Sequence, residues 1–161
     1  MKKSKRKFSF NWKLALAILV CLCAGIIGSV FTGDSVDTWY VTLVKPSFNP
    51  PGWVFGPVWT LLYIMMGISF YLIWINDAKK KISAYGFFTV QLLLNASWSI
   101  IFFGLQNVEA AMVNITFLWI AIIVTIVRFY QLDKKAAYLL IPYLCWVTFA
   151  SILNYAIMQL N

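Results

Sequence analysis

The chain has 161 residues, of which 62% are hydrophobic and only 11% charged, with 13 basic residues against 5 acidic and no histidine. A soluble domain averages about 25% charged residues, so this composition lacks the polar surface that a globule in water needs and points to lipid. The missing histidine removes the commonest metal ligand, haem ligand and general base together.

A helix that crosses a bilayer needs about 20 mostly apolar residues. The chain opens with a basic tail, residues 1–13, holding Lys2, Lys3, Lys5, Arg6, Lys7 and Lys13. The first apolar stretch, 14–31, has the basic start of a signal peptide, but no small-residue cleavage pattern with a soluble domain follows, so it reads as a retained helix. Within it, Ala24-x-x-x-Gly28 and Gly25-x-x-x-Ser29 permit close helix approach. A long loop, Thr32–Gly52, follows and is stiffened at its end by Pro50 and Pro51. The second predicted helix, 53–75, has Pro57 in its first turn, where a missing N–H costs little. The third runs 82–103, the fourth 110–130 and the fifth 136–158, with Pro142 placed to bend it. In hydrocarbon every backbone N–H and C=O must be paired inside its own segment, so an all-α membrane protein, a five-transmembrane-helix bundle in one domain (14–161), is expected.

Charge sets the expected orientation. With five crossings, the tail, Lys79–Lys81, Arg128, Lys134 and Lys135 fall on one side and Lys45 alone on the other. The positive-inside rule puts the N-terminus in the cytoplasm and the C-terminus outside. The same asymmetry accounts for the net charge of +8 as attraction to anionic lipid rather than to nucleic acid. The cysteines Cys21, Cys23 and Cys145 lie in apolar runs and read as packing thiols, and no metal site is expected.

Polar and aromatic residues recur at helical spacing inside the predicted spans. Gln91, Asn95 and Trp98 share one face of the third helix, Trp59, Tyr63 and Met66 one face of the second, and Trp146, Phe149 and Ala150 one face of the fifth, with Leu153 a turn on. Amides are costly in lipid and should point into the bundle. They serve equally as interhelical glue or as the lining of a site for a flat apolar ligand. Trp12, Trp39, Trp53 and Trp74 lie near predicted helix ends and read as interfacial belt residues.

Trp39-Tyr40, Lys45-Pro46-Ser47, Pro50-Pro51 and the run Trp53-Val-Phe-Gly-Pro-Val-Trp59-Thr-Leu-Leu-Tyr63 resemble the signature of the translocator protein family, also called tryptophan-rich sensory proteins (TspO/MBR) or peripheral benzodiazepine receptors. Gln91-Leu-Leu-Leu-Asn95-Ala-Ser-Trp98 with Phe102-Phe103-Gly104 resembles the family's third helix, and Pro142-Tyr143-Leu144-Cys-Trp146 with Phe149-Ala150 and Leu153-Asn154 its fifth. The resemblance implies a compact five-helix bundle with a pocket closed by the first loop, binding porphyrins and, in some members, sterols and synthetic aromatic ligands. It implies ligand contacts at Tyr40, Pro50, Asn95, Trp98 and Ala150, to which the facing positions Tyr63 and Phe149 are added. It also implies light-driven porphyrin breakdown involving two tryptophans, which match Trp59 and Trp146. Homodimers are common in the family. Two motifs depart from it: no basic residue follows Tyr155, where the sterol motif of vertebrate members ends, and the small-residue pattern on the third helix reads Gly86-x-x-x-Val90.

The expected function is therefore that of a membrane binding protein or sensor for porphyrin-like tetrapyrroles, with the porphyrin as ligand and no required cofactor. No buried carboxylate, histidine or activated cysteine offers ordinary acid–base or nucleophilic catalysis, which leaves photochemistry as the one enzymatic route. The alternative is a transporter of porphyrin or lipid-like molecules. Ion coupling is disfavoured, because no ionisable residue lies mid-span and no internal repeat is evident. With no transit peptide and a long basic tail, a bacterial or archaeal plasma membrane is expected over an organelle.

Overall fold

The structure is a computed structural model and describes residues 11–78 and 81–161. The tail lysines and arginine up to Lys7, together with Lys79 and Lys80, lie outside the described residues. Every regular element among the described residues is helical: α1 (Trp12–Val30), α2 (Gly33–Thr38), α3 (Phe55–Ile75), α4 (Ile82–Ser99), α5 (Val108–Tyr130), α6 (Lys134–Leu139) and α7 (Ile141–Leu160). Among the described residues five stretches are long and apolar enough to cross a membrane: Trp12–Val30, Gly52–Ile75, Ile82–Gly104, Val108–Tyr130 and Lys134–Leu160. The chain is thus a multi-pass helical membrane protein.

Each span agrees with its predicted stretch to within a few residues, and the differences have local causes. Asn11 caps α1, its side chain accepting from the Leu14 amide at 3.4 Å, so the helix starts two residues earlier than hydrophobicity alone implies. Asp133 accepts from the amides of Lys135 and Ala136 and so opens the fifth span before its apolar run begins. The third span ends in a π turn, Ile100–Gly104, in which the Leu105 amide reaches back to the Ile100 carbonyl at 2.8 Å. The expected bend in the fifth span is a break. Pro142 has no N–H to continue the ladder, α6 stops at Leu139, and α7 restarts at Ile141 with Pro142 in its first turn. The first loop holds more structure than expected, namely α2 and a 3-10 turn at Tyr40–Thr42.

The spans close into a ring. α1 packs on α3 and α4; α5 packs on α4, α6 and α7; α6 returns to α3. Lipid gives helices no hydrophobic drive to associate, so close approach at small residues does the work. A Cβ at Gly67 would lie 2.5 Å from Ile18 Cα, and one at Gly25 would lie 2.4 Å from the Tyr63 ring. A Cβ at Gly28 would meet the Ser99 side chain at 3.1 Å. The small residues read from α1 are therefore its seams with α3 and α4.

Hydrogen bonds lock one end of the ring. Ser69 donates to the Ala136 carbonyl at 2.7 Å, and the Asn76 amide to the Leu132 carbonyl at 3.0 Å. At the other end α7, freed by the break at Leu140, touches α3 at few points, and the space between the helices opens.

Candidate functional site

That space is a cavity of about 480 Å³, within the range of roughly 300–1,000 Å³ common for small-molecule sites. No Asp, Glu, Lys or Arg lines it. α3 supplies Trp59 and Tyr63, α4 supplies Asn95 and Trp98, and α7 supplies Trp146 and Ala150. The first loop closes it with Tyr40 and Pro50. Eight of the nine expected ligand contacts thus meet around one cavity. Phe149 is the exception: it is not among the residues that line the cavity, and its ring lies 6.4 Å from the Phe48 ring and 5.5 Å from the Trp146 ring.

Beneath the cavity a polar network ties three spans. Asn95 accepts from the Tyr63 hydroxyl and donates to the Tyr143 hydroxyl at 2.9 Å. Tyr143 is fully buried. Asn95 is therefore both glue and lining. Gln91, one turn away, is 1% exposed; both its amide atoms lack partners, and it does not line the cavity.

The indoles differ in what their N–H groups meet. Trp98 Nε1 donates to Asn154 Oδ1 at 3.1 Å, and Asn154 in turn donates to the Val108 carbonyl at 3.0 Å. Trp146 Nε1 is buried with no acceptor. A buried donor left unpaired costs about 1–3 kcal/mol.

The lid is held at several points. Ser35 Oγ donates to the Phe103 carbonyl at 2.7 Å. Tyr40 donates to Asn49 Oδ1 at 2.8 Å, and Lys45 Nζ lies 4.8 Å above the Tyr40 ring. Burial pushes the Tyr40 phenol above its usual pKa. Asn161 clasps the Val44 backbone on both sides, accepting from its amide at 2.9 Å and donating to its carbonyl at 3.0 Å. Trp39, read from the sequence as a belt residue, packs on Phe102 at 5.5 Å as part of this lid. Trp53 is 77% exposed.

Several lining residues were not among the expected contacts. Gly25 and Ser29 from α1, Asn49 from the lid, Phe55 from the start of α3 and Asn154 from α7 all face the cavity. For α1 the only signal was its small residues, which read as packing. Phe102 and Phe103, both on the π turn, line the cavity. Such turns concentrate at functional sites. Among the described residues no three His, Cys, Asp or Glu side chains cluster as metal ligands would.

Fold and site together define a five-span membrane bundle with an uncharged, tryptophan-lined chamber under a structured loop. Comparison with known proteins places it further. The profile of the TspO/MBR family matches residues 17–160. The chain is 51% identical to the tryptophan-rich protein TspO of Archaeoglobus fulgidus, over 92% of this chain and 97% of the relative. It is 49% identical to the protein of the same name from Chlorobaculum tepidum, over 92% and 95%, and 38% identical to the human translocator protein, over 93% and 91%. The chain belongs to the TspO/MBR family of membrane sensory and translocator proteins.

Proposed function

We propose that the chain is a membrane sensor whose cavity binds a porphyrin-like tetrapyrrole or another flat apolar ligand. The observation that carries this reading is the meeting of Trp59, Trp98 and Trp146 around one uncharged cavity, with the Trp146 N–H buried and unpaired. Indole faces favour stacking on a large ring system. The free N–H suits a carbonyl, carboxylate or pyrrole nitrogen. Lys45, beside Tyr40 at the lid, suits acidic groups on the ligand's edge. With no histidine in the chain, a metal-free or weakly ligated porphyrin fits better than an imidazole-bound haem.

Because Trp59 and Trp146 line the same cavity, the reading extends to photochemistry, in which light excites the bound porphyrin, dioxygen is the oxidant and the two indoles are the reactive neighbours. Lys13, Lys81, Arg128 and Lys134 at one end of the bundle and Lys45 at the other support a cytoplasmic N-terminus. Archaeal and bacterial relatives favour a plasma membrane. Gly86, where a Cβ would meet nothing within 4 Å in the chain, leaves room on α4 for a homodimer.

The test is titration of the purified protein with protoporphyrin in the dark, followed by tryptophan quenching and repeated with Trp146→Leu. Saturable quenching is expected, with affinity about tenfold weaker in the variant from lost stacking and the lost donor. Quenching that never saturates, or that ignores the substitution, would overturn the assignment.

A further inference from the structure

A second concavity, about 420 Å³, lies at the other end of the bundle between α1, α3 and α4. It shares no residue with the ligand cavity. α1 and α4 touch where Gly28 meets Ser99, and the groove lies further toward their N-terminal ends, lined by Ala17 of the one and Phe88 of the other. The floor of this groove is made of small or flat buried groups: Ala17, Cys21 and Phe88. Its walls, Leu16 and Val20 on α1 and Thr89 on α4, are exposed, so the groove faces the lipid side of the bundle.

Its axis follows the helices. Lys13, Leu16, Ala17, Val20 and Cys21 fall on one face of α1 by their spacing of three and four, a rise of about 12 Å at 1.5 Å per residue. On α4 the matching row is Lys81, Tyr85, Phe88 or Thr89, and Leu92. Both rows end in a lysine at the same end. Trp74 of α3 lies between them: Lys13 Nζ sits 5.7 Å over its ring, and Lys81 Nζ donates to its carbonyl at 3.1 Å. Among the described residues neither lysine has a carboxylate partner.

An apolar slot about two turns deep, open to lipid along its side and cationic at one end, is complementary to an amphiphile with one apolar chain and an anionic head. We propose that this groove is a specific site for an anionic phospholipid, one acyl chain lying over Ala17 and Cys21 and the phosphate held at Lys13 and Lys81. Trp74 then marks the depth at which chain gives way to headgroup, as indoles do at membrane interfaces.

The experiment is native mass spectrometry of delipidated full-length protein offered equal phosphatidylglycerol and phosphatidylcholine of identical chains. The first lipid retained is expected to be phosphatidylglycerol. Lys13→Gln should weaken that first binding about fivefold, the loss of one lysine near an anionic head. Thr89→Trp, which fills the slot from an exposed position, should weaken it tenfold or more while leaving the melting temperature in detergent unchanged. Equal retention of the two lipids, or wild-type binding in Thr89→Trp, would overturn the proposal. Loss in Lys13→Gln alone would likewise overturn it, reducing the interaction to surface charge.

Discussion

Replacing Asn95 by Leu tests whether the hydrogen bonds beneath the cavity hold the bundle together. Leu keeps the side chain's size but removes both of its interhelical bonds, to the hydroxyls of Tyr63 and Tyr143. Interhelical hydrogen bonds in membrane proteins average about 0.6 kcal/mol and reach about 1.7. Two of them, one to the fully buried Tyr143, place the expected destabilisation at about 1–3 kcal/mol. Tyr143→Phe removes only one, for about 0.6–1.7 kcal/mol. Because the second substitution removes a bond that the first has already broken, the double variant should be more stable than the sum of the two losses predicts. Equilibrium unfolding of ligand-free protein in mixed micelles would read all three values. Additive losses, or an Asn95→Leu cost below about 0.3 kcal/mol, less than half of one average bond, would refute the view that this amide joins α3, α4 and α7.

Gly67→Val should disrupt the α1–α3 seam, since its Cβ would meet Ile18 backbone at 2.5 Å and backbone cannot swing aside; the expected result is a melting temperature lowered well beyond that of Gly86→Val, whose site is open, and equal melting of the two would sink the packing argument. Lid closure should weaken at high pH. Burial raises the Tyr40 pKa when the lid is closed, so the neutral phenol favours closure fully below the free tyrosine value of about 10, and that contribution falls as pH rises through the higher, closed-state value. Exchange of a bound fluorescent ligand should therefore accelerate above about pH 10, and should accelerate less in Tyr40→Phe; identical pH profiles would exclude this phenol as the cause.

The spans were legible because hydrocarbon demands long apolar helices and little else reads like them. Their ends were less legible, since Asn11 and Asp133 extend two of them by polar capping that hydropathy does not register. Trp59, Tyr63, Asn95, Trp98 and Trp146 could be placed by face, because a buried amide or indole repeating at helical spacing has few other places to point. Phe149 shared that face in projection but packs behind the lining, against Phe102 and Leu153, since a residue at the edge of a helical stripe can serve either neighbour. The contribution of α1 was hidden: Gly25 lines the site by being small, and smallness reads as packing. Asn49 depended on the fold of the loop, which no periodicity describes.

The π turn at Ile100–Gly104 also bears on how sequences in this segment are aligned. A ring closed over five residues instead of four holds one residue more than the α-helical path it replaces. Deleting a single residue there would restore the ordinary ladder at the end of the span and set each residue after the deletion back by one position, about 100° around the axis, carrying one of the paired Phe102 and Phe103 rings away from the chamber. A one-residue gap between two relatives at this point therefore records a change in the shape of the chamber wall, even where every flanking residue is the same.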